Sequence, residues 1–363
     1  MFRNKSKKMS KNLFLELVER LVSGENLSRS EWVELLSVSD AGARSLVAER
    51  ARGIAREIFG TGVFVRGLIE ISSYCKNNCF YCGLRAANRA AARYRLSHDE
   101  VLSCCREGDK LGFNTFVLQG GEDVAQDDAF VENLVAAIHR EFPHKAITLS
   151  VGERSKDAYA AFRAAGAARY LLRHETACDE HYAALHPRVM SGAARRASLF
   201  ALKELGYQVG SGMMIGSPGQ ALSNLADDFV FLQKLEPQMI GVGPFIPAAG
   251  TPFAASPAGS AELTLYVISL LRLRFSHALI PSTTALATLL PDGMERGILS
   301  GANVVMPNLS PADVRAKYSI YNNKKSSGSE SAQQLAQLEQ RLQSIGYHID
   351  YNRGDYNAPQ KVC

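Results

Sequence analysis

Val63-Phe-Val-Arg-Gly-Leu-Ile-Glu-Ile-Ser72 runs straight into Ser73-Tyr-Cys75-Lys-Asn-Asn-Cys79-Phe-Tyr-Cys82, and the join between these two stretches decides the fold. The first stretch is β-branched and apolar enough for a buried strand. The cysteines that follow then stand at its C-terminal end, where βα barrels carry their chemistry. Working outward, similar runs recur at Asn114–Gln119, Ala146–Val151, Arg169–Leu172, Gln208–Ile215, Met239–Gly243, His277–Thr284 and Asn303–Met306. Amphipathic stretches separate them. Ser97 and Glu100 form a capping box that opens one such helix, Gly112 stops it, and Leu199–Leu205 runs into Gly206 as a terminating glycine. Eight strands at intervals of roughly 25–45 residues predict an α/β fold: a complete (βα)8 barrel of the TIM type.

Before the barrel, residues 1–60 read as a helical extension. Leu13–Val22 has helical periodicity, Ser28 and Glu31 make another capping box, Ala41–Phe59 is a further helix, and Gly60 and Gly62 end it. The barrel spans 61–310. After Pro311 the rhythm stops, and 311–363 reads as a closing segment with a Lys/Ser/Gly-rich loop at Asn322–Ser331 and one more helix at Ala332–Ile345.

Composition narrows the function. The 41 basic and 36 acidic residues leave a formal charge of +5 with no long basic block, which argues against a nucleic-acid surface. No apolar run approaches the ~18 residues of a membrane span, and the start, MFRNKSKKMSK, leads into an amphipathic LFLELVERL rather than a signal core, so a cytoplasmic protein is expected. Three of the seven cysteines lie within eight residues, a clustering that reads as metal binding in a reducing compartment.

The triplet has the chemistry of an iron–sulfur centre. A [4Fe–4S] cluster normally takes four thiolates, so three leave one iron open to another ligand. A zinc site is the competing reading; it needs a fourth ligand, and His98, Cys104 and Cys105 fall at spacings that match no common knuckle.

This C-x3-C-x2-C spacing after the first strand resembles the radical S-adenosylmethionine (SAM) superfamily, in which the amino and carboxylate groups of SAM chelate the open iron and reductive C–S cleavage yields a 5′-deoxyadenosyl radical. Gln119-Gly120-Gly121-Glu122 at the end of the second strand is similar to the superfamily's GGE motif, whose glycines admit close backbone approach and whose acceptor meets the SAM ammonium. Tyr81 matches the aromatic position that contacts adenine. Gly210-Ser-Gly-Met-Met-Ile-Gly216 and Ser217-Pro-Gly-Gln220 resemble the glycine-bearing fifth strand and its loop, and Gly243-Pro-Phe-Ile246 the sixth-strand segment that flanks adenine.

Over residues 60–325 the resemblance narrows to the HydE family of [FeFe]-hydrogenase maturases, relatives of biotin synthase and methylornithine synthase. It rests on Ile71 through Arg85, Tyr170-Leu-Leu-Arg-His-Glu-Thr176, Gly241-Val-Gly-Pro-Phe-Ile-Pro247 and Gly301-Ala-Asn-Val-Val-Met-Pro-Asn308. The resemblance implies one [4Fe–4S] cluster and SAM as cofactors and an organometallic iron substrate bearing CO, cyanide and cysteine. The implied partners are a GTPase scaffold maturase, a tyrosine-cleaving radical SAM maturase, and a reductant such as ferredoxin or flavodoxin. It also implies that Glu175 and Arg195 bind SAM. Thr148, Arg169, Arg173, Thr283 and Thr284 match anion-binding positions, and Tyr318 and Tyr321 match residues at the cavity mouth. Arg169 and Arg173 lie four apart on a strand, hence on one face, and both are expected to point where Thr283 and Thr284 converge. The plainer readings are a solvated helix face for Arg195 and Arg196, a helix cap for Glu175, an arginine that seals a barrel layer, and a tyrosine packing pair.

Two departures stand out. Asn322–Ala332 holds no cysteine where some members place an accessory cluster, so no second cluster is expected, and Gly120 occupies the place of an anion-contacting serine. His174, Cys104, Cys105 and Cys178 take no assigned role. A methylornithine synthase-like mutase and a non-catalytic cluster scaffold are the alternatives, and the GGE motif disfavours the scaffold, which has no need of SAM. Biotin synthase is disfavoured for want of ligands for its sacrificial cluster.

Overall fold

The computed structural model describes residues 9–325 and 330–358; Cys363 lies outside them. Three helices open the chain, Lys11–Val22, Arg29–Leu36 and Ala41–Phe59, capped by the side chains of Ser10, Ser28 and Asp40, with the expected Ser28–Glu31 capping box formed. The extension shares the barrel's apolar core. Trp32 is fully buried, stacks on Phe229 at 4.0 Å, and donates from Nε1 to Gln233 Oε1 at 2.8 Å. Both partners lie on the helix Leu222–Leu235. Burying one such ring stabilises by about 2–3 kcal/mol, enough to hold the extension on the barrel wall.

The strands are β1 (Gly62–Val65), β2 (Gly67–Ser72), β3 (Thr115–Gly120), β4 (Ala146–Ser150), β5 (Ala167–Leu171), β6 (Gln208–Ser211), β7 (Met214–Ile215), β8 (Met239–Ile240), β9 (Gly243–Pro244), β10 (Val304–Val305) and β11 (His348–Asp350). Six of them form one parallel sheet in the order β2-β3-β4-β5-β6-β8. Parallel strands covered on both faces are mostly apolar, and β2 is buried along its whole length with Glu70 and Ser72 as its polar exceptions. Single bridges carry the ladder onward from Met239 to Leu279, from Pro281 to Val304, and from Asn308 back to Leu68 on β2. The fold is the α/β barrel expected.

Four strands differ from expectation, two of them because Gln208–Ile215 and Met239–Gly243 each break in the middle, β6 and β8 staying in the barrel sheet while β7 and β9 pair apart from it. Val63–Ser72 is not one strand but two: the break falls at Arg66, whose N–H donates to Val305 O at 3.0 Å, so that β1 joins β10 and β11 while β2 starts the barrel sheet. His277–Thr284 forms only isolated bridges, because Pro281 has no N–H for a ladder and the helix Thr284–Leu289 begins at once.

The last part of the closing segment, from β11 onward, covers the barrel's N-terminal end. β11 pairs in parallel with β1, and the residues beyond it reach under the strands, where Asn114 and Thr115 donate to Tyr351 O and Arg353 O at 2.7 and 2.8 Å. The opposite, C-terminal end of the sheet is left for the site.

Candidate active site

Between β2 and the helix His98–Lys110 the cysteine loop has no regular structure and is held by cross-links instead. Lys76 N donates to Glu122 O, Phe80 N to Leu185 O and Gly83 N to Ile320 O, each at 2.9 Å. Arg93 fastens the loop from below, donating to Leu84 O at 2.9 Å and Arg85 O at 2.8 Å. Gly121 is required here, since a Cβ would lie 2.1 Å from Tyr74 O and 2.7 Å from Cys75 Cβ. The GGE motif thus lets the second strand's end press against the first cysteine.

All three thiols are partly buried. Burial pushes the Cys82 thiol up to about 12, and raises those of Cys75 and Cys79 as well, with the neighbouring cysteines adding to the effect at Cys79. Left alone they stay protonated, so a metal centre binds here with release of protons. Among the described residues no three His, Cys, Asp or Glu side chains converge on one point as a single-ion site requires. A cubane offers each thiolate its own iron, so three thiols carried on one loop suit it.

Behind the loop lies a cavity of about 350 Å³. Cys79, Tyr81 and Cys82 line it together with Gln119, Gly120, Glu175, Arg195 and Ile246, and so do Arg173, Thr283, Thr284, Tyr318 and Tyr321. Most of the residues expected from sequence therefore meet in one chamber. Tyr81 is fixed by its hydroxyl, 3.1 Å from His186 Nε2.

Arg195, on the helix Gly192–Glu204, turns inward rather than to solvent, its side chain 11% exposed. Its Nε stands 2.6 Å from Glu153 Oε1, close but off-line for a hydrogen bond. Burial alone lowers an arginine, yet Glu153, Tyr182, Tyr81 and Glu122 together hold Arg195 above its ordinary value, so it is a fixed cation. Arg173 and Glu175 form a second misaligned pair, Nη2 to Oε2 at 3.0 Å, and Thr283 Oγ1 is buried without a partner among the described residues. Donors and acceptors that face a cavity unspent can turn to a ligand.

Three expectations need correction. Arg169 does not share the chamber with Arg173: it donates to Arg353 O at 2.9 Å and Asp355 Oδ1 at 2.7 Å, at the closed end of the barrel. β5 ends at Leu171, so Arg173 lies past the strand and the same-face argument does not reach it, while four extended residues carry the chain about 13 Å from one end of the barrel toward the other. Thr148, opposite Arg169 in the β4–β5 register, goes with it, buried and outside the cavity lining. Glu122 also turns away: Glu153 N donates to its Oε1 at 3.2 Å, and Lys76 and Arg195 stand 3.4 and 4.0 Å from it. Gln119 and Gly120 face the cavity in its stead.

Two charged lining residues escape the sequence reading. Glu70 is fully buried on β2, takes Lys324 Nζ at 2.6 Å and Asn308 Nδ2 at 2.9 Å, and faces the chamber with Lys324. A carboxylate inside the apolar run Gly-Leu-Ile-Glu-Ile was the available signal. Lys324 had none, being one lysine of a polar loop.

A parallel α/β barrel with three thiols on the loop after its first sheet strand, opening on a cavity at the strands' C-terminal ends, defines a cluster-dependent barrel enzyme. The sequence pattern of the radical SAM superfamily matches residues 69–232. The chain is 40% identical over 309 residues to the [FeFe] hydrogenase maturase subunit HydE of Thermotoga maritima, covering 85% of this chain and 88% of that one. To 3-methylornithine synthase of Methanosarcina acetivorans it is 30% identical, covering 85% and 86%. The crystal structure of methylornithine synthase (PylB) superposes with a TM-score of 0.82 at 27% identity, over 92% of this chain and 97% of that one. The chain belongs to the radical SAM superfamily, on the branch that holds HydE and methylornithine synthase. It is a radical SAM enzyme whose cofactors are a [4Fe–4S] cluster and SAM.

Proposed function

We propose that this enzyme acts in the maturation of the [FeFe]-hydrogenase active-site cluster, on an organometallic iron species of the cysteine-bearing type. The observation that carries the reading is the 40% identity to HydE along the whole barrel, which exceeds that to methylornithine synthase by a wide margin. When bound, the reduced cluster supplies the electron for reductive cleavage of SAM. The chain's own residues do the rest. Cys75, Cys79 and Cys82 hold the cluster. Arg195 grips the methionine carboxylate with a guanidinium that stays charged, and Glu175 accepts from the ribose hydroxyls. Tyr81 and Ile246 bound the adenine, and Gly120 and Gly121 admit close backbone approach. Arg173, Thr283 and Thr284 present N–H and O–H donors to an anionic ligand such as metal-bound cyanide, and Tyr318 and Tyr321 line the same cavity. The working partners are a GTPase scaffold maturase, a tyrosine-cleaving radical SAM maturase and a ferredoxin or flavodoxin.

One observation favours a second reading. Lys324 with Glu70 and Arg173 with Glu175 give the chamber both signs of charge, which suits the zwitterion of an amino acid and so a methylornithine synthase-like mutase. A reconstituted maturation mixture separates the two: the chain is expected to support hydrogenase activation, whereas conversion of lysine to 3-methylornithine without activation would establish the mutase.

A further inference from the structure

Glu175 holds φ at +64°, one of three non-glycine residues in the left-handed region among the described residues. Such a conformation costs about 1–3 kcal/mol and persists only where the surroundings over-determine it. Here they do so from three sides. Between β6 and β7, Glu175 N donates to Gly212 O at 3.0 Å and Met214 N to Glu175 O at 3.4 Å. Gly212 itself must be glycine, because a Cβ would lie 1.8 Å from Gly241 O.

From behind, fully buried His174 places Nδ1 2.9 Å from Ser211 Oγ, which donates to Leu172 O at 3.3 Å. Its Nε2 stands 3.3 Å from Asp228 Oδ1, on the helix Leu222–Leu235. The same Oδ1 accepts from Ala177 N at 2.5 Å, so one carboxylate bonds one end of the segment 174–177 and stands beside the other. On the third side Thr176 Oγ1 meets His181 Nδ1 at 3.3 Å.

Asp228 is an expensive way to brace a turn. It is fully buried, its Oδ2 has no hydrogen-bond partner among the described residues, and His174 Nε2 approaches off-line. Burial raises its carboxyl above the usual range while His174 opposes the rise. An apolar residue of similar volume in such a place is often neutral or stabilising, so fold stability does not account for it.

We propose that Asp228 and His174 are positioning residues, clamping the 174–177 turn so that Glu175 is held left-handed with its carboxylate turned into the cavity for the ribose of SAM. The inference rests on Glu175 as a SAM ligand. Preformed geometry raises affinity by removing the cost of ordering that side chain at binding.

A double-mutant cycle on the cluster-loaded enzyme tests it, read by SAM titration, iron content and thermal unfolding. Glu175→Gln is expected to weaken SAM binding about tenfold, as loss of a charged acceptor does, and Asp228→Asn by roughly five- to tenfold with iron content unchanged. The double variant is expected to bind no more weakly than Glu175→Gln, because Asp228 acts only through Glu175. Multiplied losses in the double variant, or full SAM affinity in Asp228→Asn, would overturn the proposal. Unchanged binding in Glu175→Gln would overturn the ligand assignment instead. If Asp228→Asn does not fold, Ser211→Ala frees the other nitrogen of His174. A loss of about threefold that vanishes in the Glu175→Gln background then supports the clamp, and a loss that persists there overturns it.

Discussion

Both ends of the barrel bury arginines, and the two ends use them differently. At the closed end Arg169 donates to Arg353 O and Asp355 Oδ1, and Arg66 to Gly354 O at 3.4 Å and to Met239 Sδ at 3.1 Å. Burial lowers both guanidinium groups, Arg66 strongly. At the open end the burial of Arg195 is outweighed by Glu153 and its neighbours, and Arg173 and Glu175 stand together without spending their hydrogen bonds. Each closed-end arginine also leaves Nε unpaired, so an orphaned donor alone does not mark a ligand site. What marks the open end is the chamber those donors face. Arginines that stitch a terminal segment to strand ends are structural; arginines that look across a cavity at carboxylates are poised to exchange partners.

The largest effect that tests this contrast lies in the thiols. Replacing Cys75, Cys79 or Cys82 by Ala is expected to abolish cluster assembly and 5′-deoxyadenosine formation, since each leaves two thiolates for the cube. The parent enzyme should load about four irons per chain, the content of one cubane. Reproducible loading near six or eight irons, with a signal that survives loss of the triplet, would reveal an accessory centre. Undiminished SAM cleavage in any cysteine variant would break the assignment of the open end altogether.

Next in size, Arg195→Ala should weaken SAM binding by about 1.5–3 kcal/mol, the range for a charged hydrogen bond, while iron content holds. Titration calorimetry that found full SAM affinity would make Arg195 structural, like Arg169, and erase the distinction between the ends.

The closed end should answer in the opposite way. Asp355→Ala removes the counter-charge of a buried Arg169; because the Asp355 side chain is 36% exposed, the expected loss of stability is modest, about 1–2 kcal/mol, with SAM affinity unchanged. Denaturant unfolding and SAM titration of one preparation check both halves, and weakened SAM binding would show that the two ends are coupled.

The smallest effect is one of pH. Burial raises the Asp355 carboxyl, but Arg169 and Arg353 outweigh it and hold it below its usual range. A group depressed in the folded state stabilises fully above its unfolded value, near pH 4, and loses that contribution as pH falls through the folded value. The stability gap between the parent enzyme and Asp355→Ala should therefore be complete at neutral pH and narrow below about pH 4. A gap that widened on acidification would reverse the assigned sign.

Chemistry borne on one short stretch was legible without coordinates. The cysteine triplet follows a strand by sequence order alone, so a barrel reading already puts it at the C-terminal end of the sheet, and Gly120-Gly121 needs only the end of the next strand to be placed beside it. Arg173, Glu175, Thr283 and Thr284 were named through the family resemblance, position by position, and the structure brings all four to the lining of one cavity. What only the tertiary structure decided is depth and company. Arg169 lies at the closed end and Arg173 past the end of its strand, Glu122 stands among Glu153 N, Lys76 and Arg195 rather than in the cavity lining, and Glu70 meets Lys324 across 254 positions of chain. Asp228 likewise reaches back to His174 from a helix of its own. Periodicity fixes where a side chain points relative to its own backbone; which charge waits there depends on segments packed in from far along the chain, and no local pattern encodes that.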